Sequence, residues 1–189
     1  MSLNLSPLEN DFGCAIERQE FALHYQPKVD LKSGAIAGVE ALIRWHHPRH
    51  GLLESGKFIQ VAEACGAILP IGRWVLREVC TQARAWQNAG LPRLRIGINV
   101  SAAELQARDF VEDVRTTLTE TGMDPRFLEL ELTETSLLEN PQANGPVLRA
   151  LKDTGAQLAF LRKENCPAGQ GFFFSPAVPA ADLVELLGG

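Results

Sequence analysis

The chain has 189 residues, of which 46% are hydrophobic and 22% are charged, and its formal net charge is −5 at pH 7. This composition is typical of one globular domain with a sizeable core. It excludes a general basic surface for nucleic acid, and no stretch is long and apolar enough to cross a bilayer. A bound anion would therefore need local help from arginine, lysine, backbone amides or metal ions.

Strand-like and helix-like segments alternate along the chain, which favours a parallel sheet covered by helices. We interpret residues 1–12 as an N-terminal tail and 13–189 as a single domain. One interpretation of the tail is that it derives from a tag. The predicted strands are 23–29, 36–45, 94–100, 127–133, 156–160 and the short segment 171–174. The predicted helices are 55–64, 70–89, 101–122, 147–154 and 180–187. Six strands are too few for a complete (β/α)₈ barrel, which needs about 250 residues.

The remaining composition indicates a cytoplasmic location. The N-terminus has neither a basic region nor an apolar core, so no signal peptide is predicted. The four cysteines, at positions 14, 65, 80 and 166, have neither metal-finger nor redox spacing and are read as reduced thiols. His46, His47 and His50 lie in a turn that contains proline and glycine, and we expect them to be surface residues rather than metal ligands.

The second predicted strand carries two charges on one face. Glu40 and Arg44 have the same parity, and the residues between them are apolar. Because successive side chains of a strand alternate between its faces, both charges point the same way. A buried charge is costly unless it is paired or bound to a metal. This strand therefore predicts either an internal ion pair or a functional site.

Polar residues also end the third and fourth predicted strands, at Asn99 and at Glu131 to Glu134. In α/β barrels such residues meet at the carboxyl ends of the strands. Carboxylate and amide oxygens there suit Mg²⁺ or Mn²⁺. Glu131 lies opposite a face of leucines and so points into the lumen, whereas Glu134 follows the strand and is placed to hold a loop. The alternative is a set of capping residues and ion pairs without metal.

Several motifs in this order resemble the EAL domain family, the bacterial phosphodiesterases that hydrolyse cyclic di-GMP. They run over about 15–187, and the tripeptide Glu-Ala-Leu alone would be weak evidence. The matching segments are 25–27 (Tyr-Gln-Pro), 40–45 (Glu-Ala-Leu-Ile-Arg-Trp), 58–63, 98–101 (Ile-Asn-Val-Ser), 131–134 (Glu-Leu-Thr-Glu) and 170–171 (Gln-Gly).

The resemblance implies a TIM-type (β/α)₈ barrel with two Mg²⁺ or Mn²⁺ ions in the intact site. Glu40, Asn99 and Glu131 match the family's metal ligands. Arg44 matches the residue that holds a substrate phosphate, and Gln26 and Gln170 match residues that contact the dinucleotide. Glu134 matches the acid that orders a loop. The implied reaction is two-metal hydrolysis that releases linear pGpG. The family also implies a homodimer, and sensor or cyclase modules often accompany such domains in a longer protein.

The match breaks after Phe160. Family members continue the fifth strand with Asp-Asp-Phe-Gly-Thr-Gly, whereas this chain continues with Leu161, Arg162 and Lys163. The Lys-Ile-Asp and Ala-Glu-Gly-Val-Glu strands are absent as well, so the sixth and seventh strands and the catalytic lysine are missing. On the order of 60 residues are lacking by comparison with a typical barrel. The join lies between about 156 and 163, and either the chain carries this deletion or the sequence omits a segment.

Two functions follow, and a third reading ignores the resemblance. The first is a metal-dependent cyclic di-GMP phosphodiesterase, which we predict to be inactive if the chain has only these 189 residues. The second is a degenerate domain that binds cyclic di-GMP or a protein partner without hydrolysis. The third is an unrelated metal-dependent α/β hydrolase, which the ordered motifs disfavour. Contact with DNA or a membrane is not expected.

Overall fold

The computed structural model describes residues 8–133, 141–161, 168–169 and 175–188. The strands are β1 (Phe21–Asp30), β2 (Ile36–His47), β3 (Gly51–Glu54), β4 (Arg95–Val100), β5 (Leu128–Thr133), β6 (Gln157–Leu161), β7 (Ala168–Gly169) and β8 (Val178–Pro179). The helices are α1 (Phe12–Ala15), α2 (Ile59–Ala64), α3 (Ile68–Asn88), α4 (Ala102–Gln106), α5 (Phe110–Thr121), α6 (Pro141–Asp153) and α7 (Ala180–Gly188). Short 3₁₀ turns precede α2 and β5, at Ser55–Lys57 and Pro125–Phe127.

All eight strands belong to one sheet with the order β6-β5-β4-β2-β1-β7, in which β3 also pairs with β2 and β8 with β1. The strands β2, β4, β5 and β6 are parallel. The expectation of a parallel sheet is wrong for β1 and β3, which are antiparallel to β2. The reason is that the connections are short, 31–35 between β1 and β2 and 48–50 between β2 and β3, because a parallel connection needs a dozen or more residues.

The sheet is open within the described residues. There β6 pairs only with β5, and β7 and β8 pair only with β1. The predicted strand 156–160 corresponds to β6, and the predicted strand 171–174 lies outside the described residues. Three further strands, β3, β7 and β8, have two to four residues each and were missed because such short segments carry no periodicity.

The helices cover one face of the sheet, where alternate strand residues are buried. Leu128, Leu130 and Leu132 of β5 are all fully buried on this side. Helix α3 packs against the same side with an apolar stripe at helical spacing, and the ring of its Trp86 meets Tyr25 of β1 edge-on, with 4.7 Å between centroids. The alternation leaves the opposite face of the sheet for polar side chains.

Two residues of the predicted tail are buried in the structure. Leu8 and Phe12 are buried, and the Phe12 ring stacks on Trp45 with 4.8 Å between centroids. Asp11 Oδ2 lies 3.1 Å from Nε2 of His47, which is buried. The expectation of a surface histidine is therefore wrong at His47, because the N-terminal segment covers it.

Two predicted helices have different bounds in the structure. The predicted helix 101–122 is divided into α4 and α5, because Ala107 has an extended conformation with ψ 132°. Its N-terminal capping box is confirmed, since Ser101 and Glu104 bond each other's backbone N–H groups. Helix α6 begins at Pro141, six residues before the predicted start, and continues through Pro146. In the part of the chain that the structure describes, no helix has the length and apolar character needed to cross a membrane.

Candidate functional site

Polar side chains gather on the face of the sheet that lies opposite the helices. Cross-strand pairing fixes their positions: Glu40 lies opposite Gln26 of β1 and Gly97 of β4, and Asn99 lies opposite Glu131 of β5. We call this surface the polar face, and its members are Gln26, Lys28, Glu40, Arg44, Asn99, Glu129 and Glu131. The period of two along each strand is what brings these residues together.

Glu40 and Asn99 contact each other directly. They lie on the adjacent parallel strands β2 and β4, and Asn99 Nδ2 donates a hydrogen bond of 2.5 Å to Glu40 Oε1. The sequence predicts that these two residues meet at the carboxyl ends of their strands, and the structure brings them together there. A carboxylate and a carboxamide in contact provide oxygen donors for a hard cation.

Lys28 of β1 contacts two glutamates of β5. Its ammonium bonds Glu131 Oε1 and lies 3.5 Å from Glu129 Oε2. Glu131 is 2% exposed, so its carboxylate depends on this partner. The pair lies above Gly97, where an added Cβ would overlap Glu131 Oε1 and lie 2.8 Å from Lys28 Nζ. Glycine at position 97 therefore makes the space for the ion pair.

The charges around Lys28 shift two pKa values in the same direction. Burial acts to lower the pKa of Lys28, but the hydrogen bond and charge of Glu131, with the charges of Glu129 and Glu40, leave it raised. Burial raises the pKa of Glu131, and the charges of Glu40 and Glu129 add to this against the effect of Lys28. The charges of three carboxylates thus act on one ammonium, which leaves this part of the polar face with an excess of negative charge.

Arg44 lies on the polar face beyond this cluster, and it is 8% exposed. Its Nη1 donates a hydrogen bond of 3.1 Å to the carbonyl of Ile43, and no carboxylate of the described residues lies within 4.0 Å of its guanidinium. Burial lowers the pKa of the neighbouring His24, and the positive charge of Arg44 lowers it further. A buried guanidinium without an acidic partner in the described chain is suited to an anionic ligand.

Gln26 ties β1 to the C-terminal segment of the chain. Its Nε2 donates a hydrogen bond of 3.1 Å to the carbonyl of Ser175. This segment follows the Gln-Gly motif, but Gln170 itself lies outside the described residues, and so does Glu134. The predicted roles of Gln170 and Glu134 therefore stay predictions.

The residues predicted to bind metal fit a divalent cation in their chemistry. Glu40, Asn99 and Glu131 supply carboxylate and amide oxygens from neighbouring strands, as Mg²⁺ and Mn²⁺ prefer. Within the described ranges, however, no three aspartate, glutamate, histidine or cysteine side chains converge as a metal-binding group. Glu131 is bonded to Lys28 instead. Sequence reasoning missed Lys28 and Glu129, although both share the parity of their predicted neighbours Gln26 and Glu131.

A second feature is a cavity of about 460 Å³ beside the ends of β2 and β4, between the sheet and α3. Ser101, Glu104 and Gly72 line part of it. Glu104 is 7% exposed, and its Oε2 accepts hydrogen bonds from the Ser101 backbone N–H at 2.9 Å and from the Ser101 hydroxyl. Burial raises the pKa of Glu104 against the effect of these bonds. This carboxylate closes the first turn of α4, directly after the strand that carries Asn99.

Residues 9–159 match the family model described as EAL domain, and the chain belongs to the EAL domain family. It is 40% identical over 152 residues to the bifunctional diguanylate cyclase/cyclic di-GMP phosphodiesterase MucR of Pseudomonas aeruginosa, which is 80% of this chain and 22% of MucR. It is 39% identical over 152 residues to the cyclic di-GMP phosphodiesterase NbdA of the same organism, which is 80% of this chain and 19% of NbdA. The chain spans about a fifth of the length of these curated relatives.

Solved structures have the same fold. The phosphodiesterase of PaMucR in complex with c-di-GMP superimposes with a TM-score of 0.86 at 28% identity, covering 94% of this chain and 99% of that chain. The EAL domain of Xanthomonas citri FimX in complex with c-diGMP superimposes with a TM-score of 0.72 at 19% identity, covering 82% of this chain and 59% of that chain. The fold is therefore the TIM-barrel-like fold of EAL domains.

Proposed function

We propose that this chain is a phosphodiesterase domain that acts on cyclic di-GMP in bacterial second-messenger signalling. The observation that carries the proposal is Arg44, a buried guanidinium on the same face of β2 as the carboxylate of Glu40. An anionic phosphodiester satisfies such a guanidinium through paired hydrogen bonds. The similarity to MucR and NbdA, which are phosphodiesterases for this dinucleotide by name, supports the choice of substrate.

Each matched residue has a proposed role. Arg44 holds a phosphate of the substrate, Gln26 and Gln170 contact the dinucleotide, and Glu134 orders a loop. Glu40, Asn99 and Glu131 would hold Mg²⁺ or Mn²⁺, two ions in an intact site. Such ions, when bound, would activate a water and neutralise charge on the phosphodiester, with pGpG as the product.

A second candidate, binding without hydrolysis, is favoured by the region after β6. This candidate requires a true deletion of the sixth and seventh family strands, which would leave these 189 residues insufficient for turnover. The family match ends at residue 159, within β6, and β6 is paired without a break to β5 from Gln157 to Leu161.

One experiment separates the two candidates. The purified chain is incubated with cyclic di-GMP and either Mg²⁺ or Mn²⁺, pGpG is measured by chromatography, and binding is measured by calorimetry. If the deletion is real, we expect binding without pGpG for the 189-residue chain. Release of pGpG would contradict the inactivating deletion and support the enzyme, and the absence of both binding and turnover would contradict the proposed ligand.

Arg44 provides the matching test of the binding mode. Replacing Arg44 with alanine removes charge-assisted hydrogen bonds to the phosphate, so we expect affinity for cyclic di-GMP to fall by about 2 kcal/mol, or roughly 30-fold. The control is Arg84→Ala on α3, where the arginine is exposed and bonds Gln87. Equal affinity of the Arg44 variant and the control would show that the anion does not bind at Arg44.

We further propose that the domain is cytoplasmic and forms part of a longer signalling protein. Its relatives are about five times longer, and MucR by its name also carries diguanylate cyclase activity. Family resemblance implies a homodimer in the complete barrel. Light scattering on the purified chain tests this. A monomer at micromolar concentration would indicate that the dimer contacts of the family lie in the segment that is missing here after β6.

A further inference from the structure

Lys28 is one of two side chains of the polar face, with Glu129, that the predicted chemistry leaves without a role. It extends from β1 to the acidic side chains of β5, although β2 and β4 lie between these strands in the sheet. Gly97 in β4 lies beneath the ammonium, where an added Cβ would lie 2.8 Å from Lys28 Nζ. The absence of a side chain at Gly97 thus leaves room for Lys28 to reach Glu131.

We propose that the Lys28 ammonium is a built-in cation of the acidic cluster, which occupies the place of a divalent metal at Glu131. A metal ion must then displace Lys28 from this carboxylate before it can bind. The inference rests on the proposed function only in taking Glu131 as a metal-facing residue. It assigns Lys28 the role of setting metal affinity, and the side chain takes no part in the reaction itself.

The contacts of Lys28 support competition with the metal. Lys28 bonds Glu131 Oε1, and Glu129 Oε2 lies 3.5 Å from the same ammonium. Both side chains of the pair are largely buried, with 16% of Lys28 and 2% of Glu131 exposed. In such a site the repulsion between an ammonium and a divalent ion is weakly screened. The two cations therefore exclude each other at Glu131.

The first test measures Mn²⁺ binding without nucleotide, by calorimetry and by loss of the electron paramagnetic resonance signal of free Mn²⁺. We expect Lys28→Met to bind Mn²⁺ at least about tenfold more tightly than the wild type. Lys28→Arg keeps the charge and should bind as weakly as the wild type. Lys32→Met is the matched control, since Lys32 is exposed in the turn after β1. Unchanged or weaker Mn²⁺ binding by Lys28→Met would overturn the proposal.

The second test uses the wild type, so it does not depend on the folding of a variant. Lysine acetylation is followed residue by residue by mass spectrometry, with and without millimolar Mn²⁺. Displacement from Glu131 should raise the labelling rate of Lys28 several-fold and leave that of the exposed Lys32 unchanged. Equal labelling of Lys28 in both conditions would contradict displacement.

The outcome of these tests is independent of the nucleotide. If Lys28→Met gains Mn²⁺ affinity while neither protein binds cyclic di-GMP, the role of Lys28 stands and the proposed function fails. If the wild type binds cyclic di-GMP and Lys28→Met gains no Mn²⁺ affinity, the role of Lys28 fails and the proposed ligand stands.

Discussion

Two glutamates are buried in different regions of this domain, and they are held by different kinds of partner. Glu131 on the polar face bonds the ammonium of Lys28. Glu104, between the sheet and α3, accepts hydrogen bonds from the backbone N–H and the hydroxyl of Ser101. Each lies against a glycine, Gly97 and Gly72 respectively, where an added Cβ would overlap a carboxylate oxygen.

The difference separates a carboxylate that caps a helix from one that lies in the candidate site. Neutral donors are sufficient for Glu104, which closes the first turn of a helix and has a raised pKa because it is buried. Glu131 has two further carboxylates near it, Glu40 and Glu129, and only a full positive charge offsets that repulsion. A cluster that needs a cation for its own stability is also a cluster that can exchange this cation for another.

Removing the partner of each glutamate should give the largest difference in the free energy of unfolding between the two regions. Lys28→Met leaves Glu131 buried without its cation, and we expect the free energy of unfolding to fall by about 3 kcal/mol in metal-free buffer. Ser101→Ala removes one neutral donor but keeps the backbone N–H, and we expect a loss of about 1 kcal/mol. Urea denaturation at pH 7 measures both values.

A double variant controls this comparison. Adding Glu131→Gln to Lys28→Met removes both charges, so much of the lost stability should return. The interpretation of Lys28 as the counter-ion of Glu131 is wrong if the double variant is less stable than Lys28→Met alone. It is also wrong if Lys28→Met and Ser101→Ala unfold at the same urea concentration.

Replacing Gly97 or Gly72 with alanine should give the next largest difference in stability between the two regions. In Gly97→Ala the new Cβ meets Glu131 and Lys28, which are packed and buried, and overpacking of this kind costs about 2 kcal/mol. In Gly72→Ala the Glu104 carboxylate can move into the adjoining cavity, and alanine gains about 1 kcal/mol of helix propensity over glycine in α3. We therefore expect almost no net change for Gly72→Ala. Thermal unfolding of both variants tests this. A larger loss of stability in Gly72→Ala than in Gly97→Ala would contradict the proposed difference in packing.

Local patterns in the sequence predict much of what distinguishes Glu131 from Glu104. The alternation of leucine and glutamate in β5 placed Glu131 in the lumen, and the Ser101–Glu104 spacing gave the capping box. Both depend on side chains a few residues apart, where periodicity and capping rules apply. The five longer strands were predicted for the same reason.

Contacts between distant parts of the chain could not be predicted in this way. Lys28 and Glu131 are separated by 103 positions, and they meet because β1 runs antiparallel to β2 and Gly97 leaves room for both side chains. The short connection after β1 was a signal for that antiparallel pairing, whereas alternation along the chain favoured a parallel one. The break between α4 and α5 at Ala107 likewise carries no glycine or proline signal in the sequence.

Glutamine at Glu104 should have the smallest effect, and its sign depends on pH. The pKa of Glu104 is raised above the ordinary value of 4.5, so between these two pKa values the native state binds more protons than the unfolded state. The contribution of this group to stability is then complete below the unfolded pKa and is lost as pH rises through the folded pKa.

Glu104→Gln keeps an oxygen acceptor for Ser101 and has no charge to bury. We expect wild type and variant to have similar stability near pH 4, and the variant to be more stable at pH 7 by on the order of 1 kcal/mol. Urea denaturation at both pH values measures this, with the exposed Glu112→Gln as the control. A variant that is less stable at pH 7 than at pH 4, relative to the wild type, would mean that the Ser101 cap stabilises an ionised Glu104.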